Sequence, residues 1–308
     1  MPAAEPSATL SPVLSLNSGN LAASFVPRHG MLGASLTFRG VEMLRRIENL
    51  PDAAAKGSTA GIPILYPWAN RLAGFRYHAA GREVTLSRAS PLLHLDGNGL
   101  PIHGVPWSML PWTVHDSRAD RLHAALDWSD GPLLTIFPFP HRVEMTAALT
   151  PDALTIRTAV IANRESHVPV SFGFHPYFGL PEPARSRWRF RTPAMQRLEL
   201  DDRLIPTGRA LPFPAADGEL ADRTFDDGFA ALDNGAVFAI SGGGVRLSVE
   251  FLHGYPFAQV YAPPGKDFIA IEPMTAPANA LATGRSLPIV PPGGRFDAAF
   301  SIRMEDLH

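Results

Sequence analysis

Val143-Glu144-Met145-Thr146-Ala147-Ala148-Leu149-Thr150-Pro151-Asp152-Ala153-Leu154-Thr155-Ile156-Arg157-Thr158-Ala159-Val160 is the stretch whose reading decides the fold class. Val143, Met145, Ala147 and Leu149 alternate with polar or small residues, and Leu154, Ile156, Thr158 and Val160 resume the alternation after Thr150-Pro151-Asp152. Side chains on a strand point to opposite faces in turn, so a period of two marks a strand with one buried face, and the central Thr-Pro-Asp marks a turn. The stretch reads as a β-hairpin. Outward from it, Val245 to Phe251, Phe257 to Tyr261 and Phe268 to Ile271 read as further strands, each bounded by Gly or Pro. With 31 prolines and 26 glycines in 308 residues, few stretches escape a helix breaker. Many short strands with turn punctuation predict an all-β protein, a large antiparallel β-sandwich.

The length would admit two domains, but large all-β folds often reach this size as one unit. Residues 1–9 read as a flexible tail and residues 10–308 as a single domain. Residues 50–60, with Ala53-Ala54-Ala55-Lys56-Gly57, read as a short helix or mobile loop rather than a linker. Pro181 to Asp227 reads as long loops and hairpins, with a strand-like piece at Gln196 to Leu200. Lys and Arg number 27 against 29 Asp and Glu, a formal charge of −2, which argues against nucleic acid or an anionic membrane as the main partner. A neutral or small ligand fits better. The absence of cysteine excludes disulfides, a thiolate nucleophile and Cys-ligated zinc. Met1-Pro2-Ala3-Ala4-Glu5-Pro6 lacks the basic start and apolar stretch of a signal peptide, and no apolar run reaches membrane-spanning length. A soluble, cytoplasmic protein is therefore expected.

The chemistry concentrates in a few residues. Glu272, in Phe268-Ile269-Ala270-Ile271-Glu272-Pro273-Met274-Thr275, is an acid at the end of an otherwise apolar strand, where a carboxylate is costly to bury but well placed to act. His175 lies in Phe174-His175-Pro176-Tyr177-Phe178, and His103 precedes a glycine in Ile102-His103-Gly104, a turn-like context that His tolerates. Arg71 follows Pro67-Trp68-Ala69-Asn70, and a guanidinium beside an amide and an indole would make a good polyol surface. Asp226 and Asp227, in Phe225-Asp226-Asp227-Gly228-Phe229, have the residue type to accept hydrogen bonds from sugar hydroxyls, although an Asp-Gly turn is the preferred reading of the residues alone. Arg185, Arg187, Arg189 and Arg191 alternate, as on one face of a strand, and read as a solvated outer face before an anion strip. There is no H-x-H, H-E-x-x-H or paired Asp/Glu metal cluster, no phosphate loop and no G-x-S-x-G elbow, while Gly242-Gly243-Gly244 reads as a tight hairpin. These signals point to metal-free acid-base chemistry.

Pro67-Trp68-Ala69-Asn70-Arg71-Leu72, Ile102-His103-Gly104, Phe174-His175-Pro176-Tyr177-Phe178, Leu204-Ile205-Pro206-Thr207-Gly208 and Ile271-Glu272-Pro273-Met274-Thr275, in this order, resemble the aldose 1-epimerases, or galactose mutarotases. The resemblance runs from about residue 20 to 303 and closes with Val290-Pro291-Pro292-Gly293. It implies a galactose mutarotase-like supersandwich with an open groove, in which Glu272 is the base, His175 the acid and His103 orients the substrate. It also implies that Arg71 and Asn70 hold sugar hydroxyls and that Asp226 is the binding aspartate. Asp227-Gly228 stands where galactose-specific members carry His-Pro.

The chemistry so implied is self-consistent. A base takes the proton of the C1 hydroxyl while an acid protonates the ring oxygen; the ring opens, C1 turns, and the ring recloses on its other face. One carboxylate and one imidazolium suffice, each contributing about 10² to 10⁴-fold, and reference pKa values of about 4.3 and 6.5 suit the two roles. No cofactor is expected, and the expected partner is a monosaccharide. The runners-up are a hexose-6-phosphate 1-epimerase, served by the Arg185 to Arg191 strip and Arg76, and a non-catalytic carbohydrate-binding module.

Overall fold

The computed structural model describes residues 13–46, 49, 59–129 and 131–307. The expected tail at 1–9 lies outside these residues, as does all but the end of the expected loop at 50–60. The hairpin forms as read: His141–Leu149 pairs antiparallel with Ala153–Ala162, Val143 opposite Val160 and Leu149 opposite Leu154. Burial along the first strand alternates without a break, and the Thr150 N–H closes the turn on the Ala153 carbonyl at 2.9 Å. Gly243 and Gly244 both take positive φ, 57° and 80°, between Ala236–Gly242 and Val245–His253, which is a two-residue hairpin turn.

These strands belong to a nine-stranded antiparallel sheet. Its order runs from Ala216–Glu219 through Arg189–Thr192, Ala236–Gly242, Val245–His253 and Arg295–Asp306, then Ala153–Ala162, His141–Leu149, Arg121–Trp128 and Thr113–Ser117. A second, eight-stranded sheet runs Pro206–Phe213, Met195–Leu200, Phe225–Ala230, Phe257–Ala262, Ile269–Met274, Gly173–Phe174 and Ile64–Leu65, with Tyr177–Phe178 also pairing Ile269–Met274. The two sheets face each other across the core. Phe174 meets Phe300 with ring centroids 5.1 Å apart, and Phe190 meets Phe225 at 5.6 Å. Each fully buried side chain of this kind adds about 1.5–3 kcal/mol. The fold is an antiparallel β-sandwich. No helix among the described residues is long and apolar enough to cross a membrane.

Two expectations are corrected. Arg185, Arg187, Arg189 and Arg191 do not share a strand face: Arg185–Arg187 is a 3₁₀ turn with Arg185 buried, and only Arg189–Thr192 is a strand. Nor do Asp226 and Asp227 form an Asp-Gly turn. They lie inside the strand Phe225–Ala230, paired with Phe257–Ala262, because Phe225 and Phe229 anchor that strand in the core.

Candidate active site

Alternation in three neighbouring strands builds one wall of a cavity of roughly 270 Å³. In Ile269–Met274, Ile269 and Ile271 enter the main core, so Glu272 points the other way. In Phe257–Ala262, Ala258, Val260 and Ala262 do the same, leaving Gln259 and Tyr261 on the cavity side. In Phe225–Ala230, Phe225 and Phe229 enter the core and Asp226 faces the cavity. Register then aligns the polar residues, with Gln259 opposite Glu272 and Asp226 opposite Tyr261. Asp227 takes the opposite face and pairs with Arg197 at 2.7 Å. Of the two aspartates only Asp226 lines the cavity, and its Oδ1 accepts from Gln259 Nε2 at 2.7 Å.

His175 leaves the end of the short strand Gly173–Phe174, its N–H held by the Pro63 carbonyl at 3.0 Å. Its Nε2 lies 3.1 Å from Glu272 Oε1, both residues almost fully buried. Tyr177 stacks on the imidazole with centroids 4.2 Å apart and planes 11° apart. The Tyr177 hydroxyl, 3.3 Å from Nε2, therefore lies over the ring face rather than in its plane and leaves the Nε2 in-plane direction to Glu272. The hydroxyl also bonds Thr59. Among the described residues, His175 Nδ1 and Glu272 Oε2 are buried without a hydrogen-bond partner.

His103 and Gly104 both take positive φ, 61° and 66°. A Cβ at Gly104 would stand 2.2 Å from the Tyr66 carbonyl oxygen, so only glycine lets the chain pass there. The turn is exchanged with Asn70: the His103 N–H donates to the Asn70 carbonyl at 3.0 Å, and the Asn70 N–H donates to His103 Nδ1 at 3.2 Å. With Nδ1 accepting, the ring proton sits on Nε2, free to donate to a ligand oxygen. The His103 and His175 rings meet edge to face at 5.7 Å.

Arg71 donates from Nε to Asp96 Oδ2 at 2.7 Å and from Nη1 to Asn70 Oδ1 at 3.2 Å. The indole expected beside it is elsewhere. Trp68 is wholly buried in the core, and the indole lining the cavity belongs to Trp107. The six residues singled out from the sequence, Glu272, His175, His103, Arg71, Asn70 and Asp226, all line the one cavity. Sequence reasoning missed Gln259, Tyr261 and Asp96. The first two had a signal: polar residues at alternate positions of a strand already identified.

Burial dominates the electrostatics. It pushes the Glu272 carboxyl well above the carboxylate range, with the nearby Asp226 charge adding and Arg71 opposing. It pushes His175 down to about 3 and His103 well below its ordinary value, and it raises Asp226. The reference values expected for a free Glu and His therefore do not hold here. Burial disfavours either charge alone, which favours a Glu272–His175 pair that carries a single proton. No group of three or more His, Cys, Asp or Glu residues among the described residues is arranged to hold a metal ion.

An antiparallel sandwich whose cavity presents a buried acid-imidazole pair and a ring of polar hydrogen-bonding groups is the arrangement to set beside known proteins. The sequence profile of aldose 1-epimerases matches residues 12–303, and the chain belongs to that family. It is 25% identical over 300 residues to the Uncharacterized protein YihR of Escherichia coli (strain K12), covering 94% of this chain and 92% of that protein. In fold it is similar to a galactose mutarotase-like protein from Clostridium acetobutylicum, with TM-score 0.83, 19% identity and coverage of 95% and 94% of the two chains. It is likewise similar to galactose 1-epimerase from Lactobacillus acidophilus, with TM-score 0.75, 16% identity and coverage of 95% and 93%.

Proposed function

We propose that the protein is an aldose 1-epimerase that interconverts the α and β anomers of a free aldohexose. The observation that carries this reading is the 3.1 Å contact between Glu272 and His175 on the floor of the cavity. Ring opening removes a proton from the C1 hydroxyl and delivers one to the ring oxygen, and reclosure reverses both transfers. A pair holding one proton is matched to that sequence, since one member is always base and the other acid. In the reacting form the single proton of the pair is on His175: Glu272 takes the C1 proton, His175 protonates the ring oxygen, and His103 Nε2–H orients the sugar. Asn70, Arg71 and Asp226 bind the remaining hydroxyls.

A non-catalytic sugar-binding module has no use for a buried carboxyl whose Oε2 lacks a partner, because desolvation without compensation costs about 1–3 kcal/mol. The sugar-phosphate reading loses the cations it relied on. Arg71 is the only Arg or Lys lining the cavity among the described residues, whereas Arg76, Arg185, Arg187, Arg189 and Arg191 do not line it. Polarimetry of freshly dissolved α-glucose and α-galactose tests the proposal, with each 6-phosphate run at matched ionic strength. The neutral sugar should show the higher kcat/KM; no acceleration of either free sugar would overturn the reading.

A further inference from the structure

Asp96 was not singled out by its sequence, yet it is the residue on which the cation of the cavity depends. Its side chain is almost wholly buried and its two oxygens divide their tasks. Oδ1 accepts the N–H groups of Asn98 and Leu100 at 2.8 and 2.9 Å, capping the turn through Gly97 and Gly99. Oδ2 is committed to Arg71 Nε at 2.7 Å.

The turn does not need Oδ2 for its shape. Backbone bonds close it, from the Asp96 N–H to the Leu100 carbonyl and from the Gly99 N–H to the Asp96 carbonyl, each 2.9 Å. Further backbone bonds dock it on the Arg71 segment, from the Leu72 N–H to the Pro101 carbonyl at 2.9 Å and from the His103 N–H to the Asn70 carbonyl at 3.0 Å. The burden of Oδ2 therefore falls on Arg71. A guanidinium is a planar fork, so fixing Nε by Asp96 and Nη1 by Asn70 Oδ1 fixes the plane. No hydrogen bond among the described residues engages Nη2, which stays available to a ligand.

Charge completes the argument. Asp226 stands in the same cavity as Arg71, the Glu272–His175 pair with its one proton adds no net charge, and no further arginine or lysine lines the cavity among the described residues. Burial works against the Asp96 charge, but the N–H groups of Leu100 and Asn98 and the Arg71 guanidinium outweigh it, and the carboxyl stays below its usual range. Arg71 thus enters the cavity with its charge already matched by Asp96, and an incoming anion meets Asp226 without a free cation.

We propose that Asp96 is a positioning and specificity-determining residue, which orients Arg71 as a hydroxyl donor and cancels its charge so that the site takes neutral sugars and turns away anionic ones. The inference rests on the reading of the cavity as an aldose site.

The test uses Asp96→Asn and Asp96→Ser; the serine hydroxyl can keep a turn bond to the Asn98 N–H. In polarimetry both variants should raise KM for the aldose about tenfold with kcat within about threefold, the signature of lost positioning rather than lost chemistry. In calorimetry with inorganic phosphate at low ionic strength, the wild type should bind weakly, and both variants at least about tenfold more tightly, because Arg71 is no longer neutralised. Unchanged phosphate affinity, a kcat that falls in step with KM, or unfolding of both variants would reduce Asp96 to a turn cap and overturn the proposal. The calorimetric arm needs no turnover. If the wild type fails to epimerise any aldose, the functional reading falls while the phosphate titration still decides the role of Asp96.

Discussion

Two histidines are buried in this protein to a similar degree and in opposite circumstances. His141 begins a strand of the nine-stranded sheet, its ring nearly parallel to Trp128 with centroids 5.6 Å apart. Its Nδ1 donates to the Phe139 carbonyl at 2.5 Å and its Nε2 accepts from the Tyr66 hydroxyl. His175 leaves a strand of the eight-stranded sheet and stacks on Tyr177, but its Nδ1 has no partner among the described residues and its Nε2 meets a carboxyl group. Burial pushes both below the usual range, His141 to about 4 and His175 to about 3. Burial and a depressed pKa thus fail to separate a core histidine from a reactive one. Satisfaction does: a ring with both nitrogens bonded to fixed groups has nothing left to exchange, whereas one with an open nitrogen and a proton shared with an acid is held ready.

The largest test of this contrast is Glu272→Gln. An amide keeps the shape but cannot accept the C1 proton, so mutarotation should fall by about 10³-fold or more while melting temperature is unchanged or higher. Polarimetry and calorimetry on one preparation check both halves; substantial residual turnover would show that Glu272 is not the base.

Next in size are the histidines of the cavity. His175→Ala should lower kcat by about 10² to 10⁴-fold. His103→Ala should also raise KM, because the role proposed for His103 Nε2–H is to orient the sugar. A kcat-only defect in the His103 variant would make the two roles interchangeable.

The third expectation is a pH dependence of stability in which the two regions differ. His141 binds a proton when unfolded below pH 6.5 but resists it to about 4 when folded. Its contribution is therefore complete above 6.5 and is lost as pH falls, at about 1.4 kcal/mol per unit and about 3 kcal/mol in all. In the Glu272–His175 pair the folded state holds one proton, and between 4.5 and 6.5 the unfolded state also holds one, on histidine. The pair is consequently silent over that window. Melting temperature should fall between pH 7 and 5 and fall less steeply in His141→Gln, though buried His103 leaves a residual slope. In Glu272→Gln the slope should steepen, since His175 then loses its compensating acid. Equal slopes in all three proteins would break the comparison.

The smallest effect expected is none: dialysis against EDTA should leave mutarotation intact, with metal analysis as the check. Loss of activity restored by a divalent ion would overturn the acid-base mechanism.

The sequence by itself determined the strands and one face of each, because side-chain parity is local and the core selects apolar residues at every second position. The hairpin at Val143 to Val160 and the strands carrying Gln259 and Glu272 are legible for that reason. Glu272, His175 and His103 stood out as polar residues in apolar or turn-like frames and Arg71 beside Asn70 as a polyol surface, while the motif resemblance picked Asp226 over Asp227. What parity cannot tell is which buried face meets the core and which meets a cavity. That was decided by register between strands distant in sequence, which sets Gln259 opposite Glu272 and Asp226 opposite Tyr261. The same long-range pairing turned the expected Asp226-Asp227-Gly228 turn into strand and sent Trp68 inward. It also brought Asp96, an ordinary loop aspartate by sequence, against Arg71. Local pattern fixes where a side chain points; only the tertiary structure supplies what it meets there, and the 3.1 Å contact of Glu272 with His175 is a property of that meeting.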